Sequence, residues 1–137
     1  MEAETKHRME PKNGEETKIL FSDMAGTLLK NDSTVSPETK RVLDRMNEAG
    51  HRLVLTSGRP LDSMLEVMET AGLFYPETLL IAYNGSLIYD CTARAPLLSW
   101  PVPLDVCRGI ADAAKRLGIH YQNYTKHEIV CEREDEE

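Results

Sequence analysis

Three short apolar runs, ILF at 19–21, LVL at 53–55 and LLIA at 79–82, each end on polar residues and are separated by two stretches with helical periodicity. A continuous apolar run bounded by polar residues suits a strand buried in a sheet. In SPETKRVLDRMNEAG, Ser36 can cap a helix, Pro37 fits its first position, and Gly50 stands where a left-handed residue closes it. Val42, Leu43, Met46 and Ala49 then share one face. RPLDSMLEVMETAG repeats the pattern, with Leu61, Met64, Leu65 and Met68 inward before Gly72. Strand, helix, strand, helix, strand at this spacing predicts parallel pairing through right-handed crossovers. The fold class is α/β, a Rossmann-type parallel sheet flanked by helices on both faces.

A chain of 137 residues has room for one core. Residues 1–17 are charged and nearly free of large apolar groups, so they are expected to form a disordered arm. Residues 18–85 carry the α/β pattern. After Gly85 the pattern changes: SLIYD and LLSWPV read as strands, PLDVCRGIADAAKRLG as an amphipathic helix with Val106, Ile110, Ala113, Ala114 and Leu117 inward, and IHYQNYT and EIVCE as two further strands. Residues 86–137 are therefore expected to begin a separate α+β module. The formal charge of −7 argues against nucleic acid and anionic membranes as partners, because both reward a basic face. No run reaches membrane-spanning length and the N-terminus has no apolar signal core, which makes the expected location cytoplasmic. Cys91, Cys107 and Cys131 lack metal-ligand spacing and read as ordinary thiols in a reducing compartment.

In open parallel sheets the ligand site lies beyond the carboxyl ends of the strands. Three such ends carry polar residues: Asp23, the stretch Thr56-Ser57-Gly58-Arg59, and Asn84-Gly85. A carboxylate, a hydroxyl with free amides near a helix start, and a guanidinium together suit a phosphate ester held with a metal ion. Asp23 can then attack phosphorus and form an aspartyl-phosphate. Gly26 and Thr27 allow the backbone to turn back toward the same anion.

FSDMAGTLL, VLTSGRP and IAYNGSLIYD, in this order, resemble the first half of a haloacid-dehalogenase (HAD) superfamily phosphatase of the Cof-type branch, which acts on sugar phosphates and similar small phosphate esters. The resemblance runs from about residue 18 to the end. It implies a doubly wound domain interrupted by an α+β cap, of which residues 86–137 are the beginning, together with Mg2+ and a small phosphorylated metabolite. It also implies Asp23 as nucleophile and metal ligand, the Ala25 main-chain carbonyl as a second metal ligand, and Ser57 as a phosphate-holding hydroxyl. Gly26, Thr27, Gly58, Arg59 and Asn84 then line the phosphate site.

Two departures stand out. The family's first motif is Asp-x-Asp, whose second acid protonates the leaving group and activates water; Ala25 occupies that position. The family's later motifs, a basic residue and acidic Mg2+ ligands, have no counterpart in this sequence. The chain taken alone is therefore expected to be impaired in turnover, and its first strand to keep a bare apolar edge that invites self-association. A non-catalytic binder of phosphorylated metabolites, or an assembly partner, is the second reading; a receiver-type signalling domain, which also has a phosphoacceptor aspartate at a strand end, is the third. Plainer roles also stand beside these: Ser57 as a helix cap, Arg59 as a surface charge, Asn84-Gly85 as a hairpin turn and Trp100 as a packing residue. His120 and His127 are isolated.

Overall fold

The computed structural model describes residues 16–125 and 129–131. In chain order the elements are β1 (Ile19–Asp23), α1 (Pro37–Glu48), β2 (Arg52–Thr56), α2 (Leu61–Ala71), β3 (Leu79–Ala82), β4 (Leu87–Asp90), β5 (Ala95–Ser99), α3 (Leu104–Leu117), β6 (Gln122–Tyr124) and β7 (Ile129–Cys131). A single 3-10 turn, Tyr83–Gly85, joins β3 to β4. Residues 1–15 of the expected arm over 1–17, His127 and the acidic tail REDEE lie outside the described residues.

The local signals act as their chemistry dictates. Ser36 Oγ accepts the Thr39 amide at 3.1 Å, and Pro37 opens α1. Gly72 closes α2 with φ 64°, a left-handed geometry that glycine adopts without a Cβ penalty. β1 pairs with β2, and β2 with β3, in parallel. From there the sheet becomes mixed: β3 pairs with β4, and β4 with β5, antiparallel, in the order β1-β2-β3-β4-β5. The strands expected to open a separate module thus extend the first sheet, because the 3-10 turn is short enough to fold β4 directly back onto β3. β6 and β7 form their own two-stranded antiparallel sheet.

Leu43 of α1 and Met64 and Met68 of α2 share one buried cluster with Leu53, Leu55, Leu80 and Ala82. Alternate residues of a strand face opposite sides, so both helices lie on one face of the sheet. This follows from two successive crossovers of the same hand in the same direction. The face opposite these helices, expected to be covered too, is covered only in part among the described residues: Val54 is buried there, whereas Ile19 and Phe21 are exposed, Phe21 to 62%. The inward positions assigned from periodicity divide in the same way. Leu43 is buried and Met46 half-buried, whereas Val42 is 56% exposed and Ala49 is exposed. On α3 only Ala114 is buried, while Val106, Ile110 and Leu117 remain exposed, and Trp100 is 65% exposed where packing was expected. These side chains keep much of their surface in solvent.

A polar cluster ties α1 to the segment before β3. The Tyr75 hydroxyl donates to Asp44 Oδ1 at 2.8 Å, Lys40 pairs with the same carboxylate, and the Lys40 ammonium sits 5.3 Å from the centre of the Tyr75 ring. The Lys40 hydrogen bond, followed by that from Tyr75, holds the Asp44 carboxyl below its ordinary 3.8. Cys91 is buried beside Met68, and burial pushes its thiol up to about 11. Cys131 is exposed.

Three outcomes test this packing. Leu43→Ala is expected to lower unfolding stability by ~2–5 kcal/mol and Val42→Ala by less than ~0.5 kcal/mol in urea titrations, because only the first opens a cavity. The Asp44 contribution is present above pH 3.8 and lost as pH falls through its lowered folded value. Wild type should therefore lose more stability on acidification than Asp44→Asn. Iodoacetamide at pH 8 should alkylate Cys131 well before Cys91, read by mass spectrometry.

Candidate active site

Parallel register sets the site. Asp23 stands beside Thr56, and Thr56 beside Ile81, so the carboxyl ends of β1, β2 and β3 finish level with one another. The loops that leave these three strands therefore meet at one edge of the sheet.

Asp23 is the last residue of β1 and is exposed, while the next residue, Met24, is fully buried in the core. The alternation anchors the chain immediately after the carboxylate. The chain then turns back: Leu28 N–H donates to the Asp23 carbonyl at 3.3 Å and Leu29 N–H to the Met24 carbonyl at 2.8 Å, with Leu28 and Leu29 buried. Ala25, Gly26 and Thr27 form the exposed crest of this return, and Gly26 has φ 70°. Position 25 offers a carbonyl and a methyl group, with no side-chain acid.

After β2, Ser57 N–H donates to the Ile81 carbonyl at 2.9 Å, which carries the sheet's pairing one residue further. Arg59 N–H donates to Ser57 Oγ at 3.2 Å, and Pro60 then leads into α2. The Ser57 hydroxyl thus bonds within the loop and does not cap α2, whose N-cap is Pro60 without a side-chain bond. After β3, Asn84 and Gly85 both have positive φ, 54° and 98°, and make the turn into β4. Asn84 is accordingly a turn residue, and it also stands at the site edge: its N–H donates to the Ser57 carbonyl at 3.2 Å.

The sequence-derived candidates Asp23, Ser57, Gly58, Arg59 and Asn84 lie on adjacent strand ends, with Ala25, Gly26 and Thr27 on the neighbouring crest. Tyr83 was not among them. It has φ 50°, its N–H donates to the Arg59 carbonyl at 3.1 Å, and its ring meets that of Tyr124 edge-on with centroids 5.9 Å apart. Nothing local signals this, because both partners are distant in sequence. Two surface grooves lie away from the edge: one along α1 is lined by Glu38, Arg41, Val42, Asp44 and Arg45, and one beside α2 includes Leu65, Phe74 and Tyr89. Among the described residues no three His, Cys, Asp or Glu side chains converge to hold a metal ion.

Fold and geometry together define the class: an α/β protein whose polar groups gather at the carboxyl edge of a parallel three-strand core. The profile of the haloacid dehalogenase-like hydrolases matches residues 20–137, and the chain belongs to that family. Among curated relatives, the 5-amino-6-(5-phospho-D-ribitylamino)uracil phosphatase YitU of Bacillus subtilis (strain 168) is 29% identical over 107 residues, covering 74% of this chain and 37% of the relative. The pyridoxal phosphate phosphatase YbhA of Escherichia coli (strain K12) is 28% identical over 116 residues, covering 85% and 42%. The crystal structure of a haloacid dehalogenase-like hydrolase from Bacteroides thetaiotaomicron superposes with a TM-score of 0.71 at 26% identity, covering 86% of this chain and 44% of that one. The chain spans about two fifths of the length of the curated relatives it matches. No helix among the described residues is long and apolar enough to cross a membrane.

The crest at Gly26 gives a local test. No atom lies within 4 Å of a Cβ placed there, so only its left-handed φ opposes substitution. Gly26→Ala should cost ~1 kcal/mol in denaturant unfolding, and Gly26→Asn less, since Asn tolerates that geometry.

Proposed function

We propose that this chain carries the nucleophile side of a Cof-type phosphatase site for small phosphorylated metabolites, and that Ala25 leaves it slow or silent in turnover. The observation that supports this most directly is the exposed Asp23 carboxylate at a strand tip level with the Ser57–Arg59 loop.

In this reading an Asp23 carboxylate oxygen attacks phosphorus; the new O–P bond forms as the ester P–O bond breaks, leaving an aspartyl-phosphate. The Ser57 hydroxyl and the Arg59 guanidinium hold the phosphoryl oxygens, with Gly26, Thr27 and Gly58 letting backbone approach them. The departing oxygen needs a proton, and water must later be deprotonated to cleave the acyl phosphate. In the family the second acid of the first motif serves both steps, and a methyl group at Ala25 serves neither. Loss of such a group removes ~10²- to 10⁴-fold of rate, or about 3–5 kcal/mol of barrier.

The donor set is compatible with Mg2+, which commonly takes one or two carboxylates and fills its remaining positions with water and phosphate oxygens. Asp23 and the Ala25 carbonyl would hold it, and when bound it would neutralise charge on the phosphoryl group. With one carboxylate, affinity is expected to be weak. Two relatives are named for phosphorylated small molecules, a ribitylamino-uracil phosphate and pyridoxal phosphate, and a compact phosphorylated metabolite is the substrate class proposed here. We place the boundary of the cap between β5 and α3, since β4 and β5 hydrogen-bond into the core sheet. The exposed edge of β1, with Ile19, Leu20 and Phe21 uncovered, is the surface through which copies would associate.

A binder without turnover is the second reading, favoured by Ala25 itself. Phosphate release from a panel of small esters with Mg2+, compared for wild type, Ala25→Asp and Asp23→Asn, separates the readings. Ala25→Asp is expected to raise the rate ~10²-fold or more, with Asp23→Asn at background. Sustained Asp23-dependent turnover by the unmodified chain overturns the assignment of Ala25 as the silencing residue. If Ala25→Asp gains nothing, calorimetric binding of sugar phosphates that Asp23→Asn abolishes supports the binder; absence of heat at millimolar ligand removes it.

A further inference from the structure

The loops after β2 and β3 are joined through their backbones. Tyr83 N–H donates to the Arg59 carbonyl at 3.1 Å and Asn84 N–H to the Ser57 carbonyl at 3.2 Å. Both donors sit at positive φ, 50° and 54°, a region that Asn visits readily and Tyr does not. Strain of this kind persists only where surrounding contacts over-determine it.

The space at Gly58 supplies one such contact. A Cβ there would lie 2.9 Å from Asn84 Oδ1 and 3.4 Å from both Cγ and Nδ2. Unlike Gly26 and Gly85, Gly58 does not have a left-handed φ. Its missing side chain therefore answers to the neighbouring carboxamide and not to backbone conformation. The carboxamide thus takes the space that a side chain would fill at position 58, between Ser57, whose Oγ accepts the Arg59 amide, and Arg59 in the chain.

We propose that Asn84 is a positioning residue working through Gly58: its carboxamide holds the Ser57–Arg59 loop in the shape that presents the Ser57 hydroxyl and loop amides to a phosphoryl group, and does not itself bind the anion. The role of the anion rests on the phosphate-ester reading of the site; the loop-holding role does not. A steric contact thus replaces the direct one expected for Asn84 from the resemblance. It also explains a glycine that the loop's backbone does not require.

The test is a double-mutant cycle on the full chain, with folding checked by circular dichroism. Gly58→Ala, Asn84→Gly and the double variant are compared with wild type by NMR amide hydrogen exchange at positions 57, 59 and 83 without ligand. Gly58→Ala pushes the carboxamide off the loop and Asn84→Gly deletes it, so each should speed exchange ~10-fold and the double variant no more than that. Asn84→Asp, which keeps the shape, should retain wild-type protection and serves if Asn84→Gly fails to fold. Unchanged exchange in both single variants, or additive acceleration in the double, overturns the proposal. Titration with inorganic phosphate and Mg2+ then separates the two readings. Weakened phosphate binding with unchanged ligand-free exchange makes Asn84 a ligand and refutes positioning. The expected exchange pattern in a wild-type chain that binds no phosphate supports the loop-holding role and refutes the phosphate reading alone.

Discussion

Everything at the carboxyl edge of this sheet depends on the burial of β2 between two parallel neighbours. Leu53, Val54 and Leu55 are all buried, and the strand hydrogen-bonds to β1 on one side and β3 on the other. Burying such side chains contributes ~1.5–3 kcal/mol each. A slip of one residue would turn Leu53 and Leu55 away from Leu43, Met64 and Met68, so the register is firmly specified. That register brings Asp23, Thr56 and Ile81 level, and the loops after them inherit a common floor.

From that floor the site is built by alternation and by turns. Met24 buried directly after exposed Asp23 pins the chain where the carboxylate emerges, and the return through Leu28 and Leu29 fixes the crest that carries Ala25. Position 25 is thus supported by the same packing as the carboxylate. In the proposed reading it is the methyl group there, and not the placement of the loop, that withholds an acid. The crossovers that order these strands have a further consequence. Both put their helices on one face; on the other, Val54 of the central strand β2 is buried while Ile19 and Phe21 of the edge strand β1 stay in solvent.

Much of this was legible in the sequence wherever the signal is local. Ser36, Pro37, Gly50 and Gly72 mark helix ends through bonds made within a few residues, and the apolar runs mark strands by their composition. Position at a strand end was likewise legible for Asp23, Ser57 and Asn84. Which apolar residues find partners was not: Val42 and Leu43 are adjacent and equally apolar, yet only Leu43 meets the cluster. Periodicity states which side chains share a face, not what lies opposite that face.

The sequence by itself determined the element types, the parallel β-α-β-α-β core and the groups its strand ends offer, including the alanine at position 25. Tertiary structure decided that β4 and β5 extend the core sheet, that both helices of the core share one face, and that Tyr83 and Asn84 lock onto the Ser57–Arg59 loop. The division has a physical reason. Caps, turns and periodicity are set by interactions a few residues apart, whereas sheet order and loop-to-loop contacts join residues far apart in the chain and are settled only when the whole of it packs.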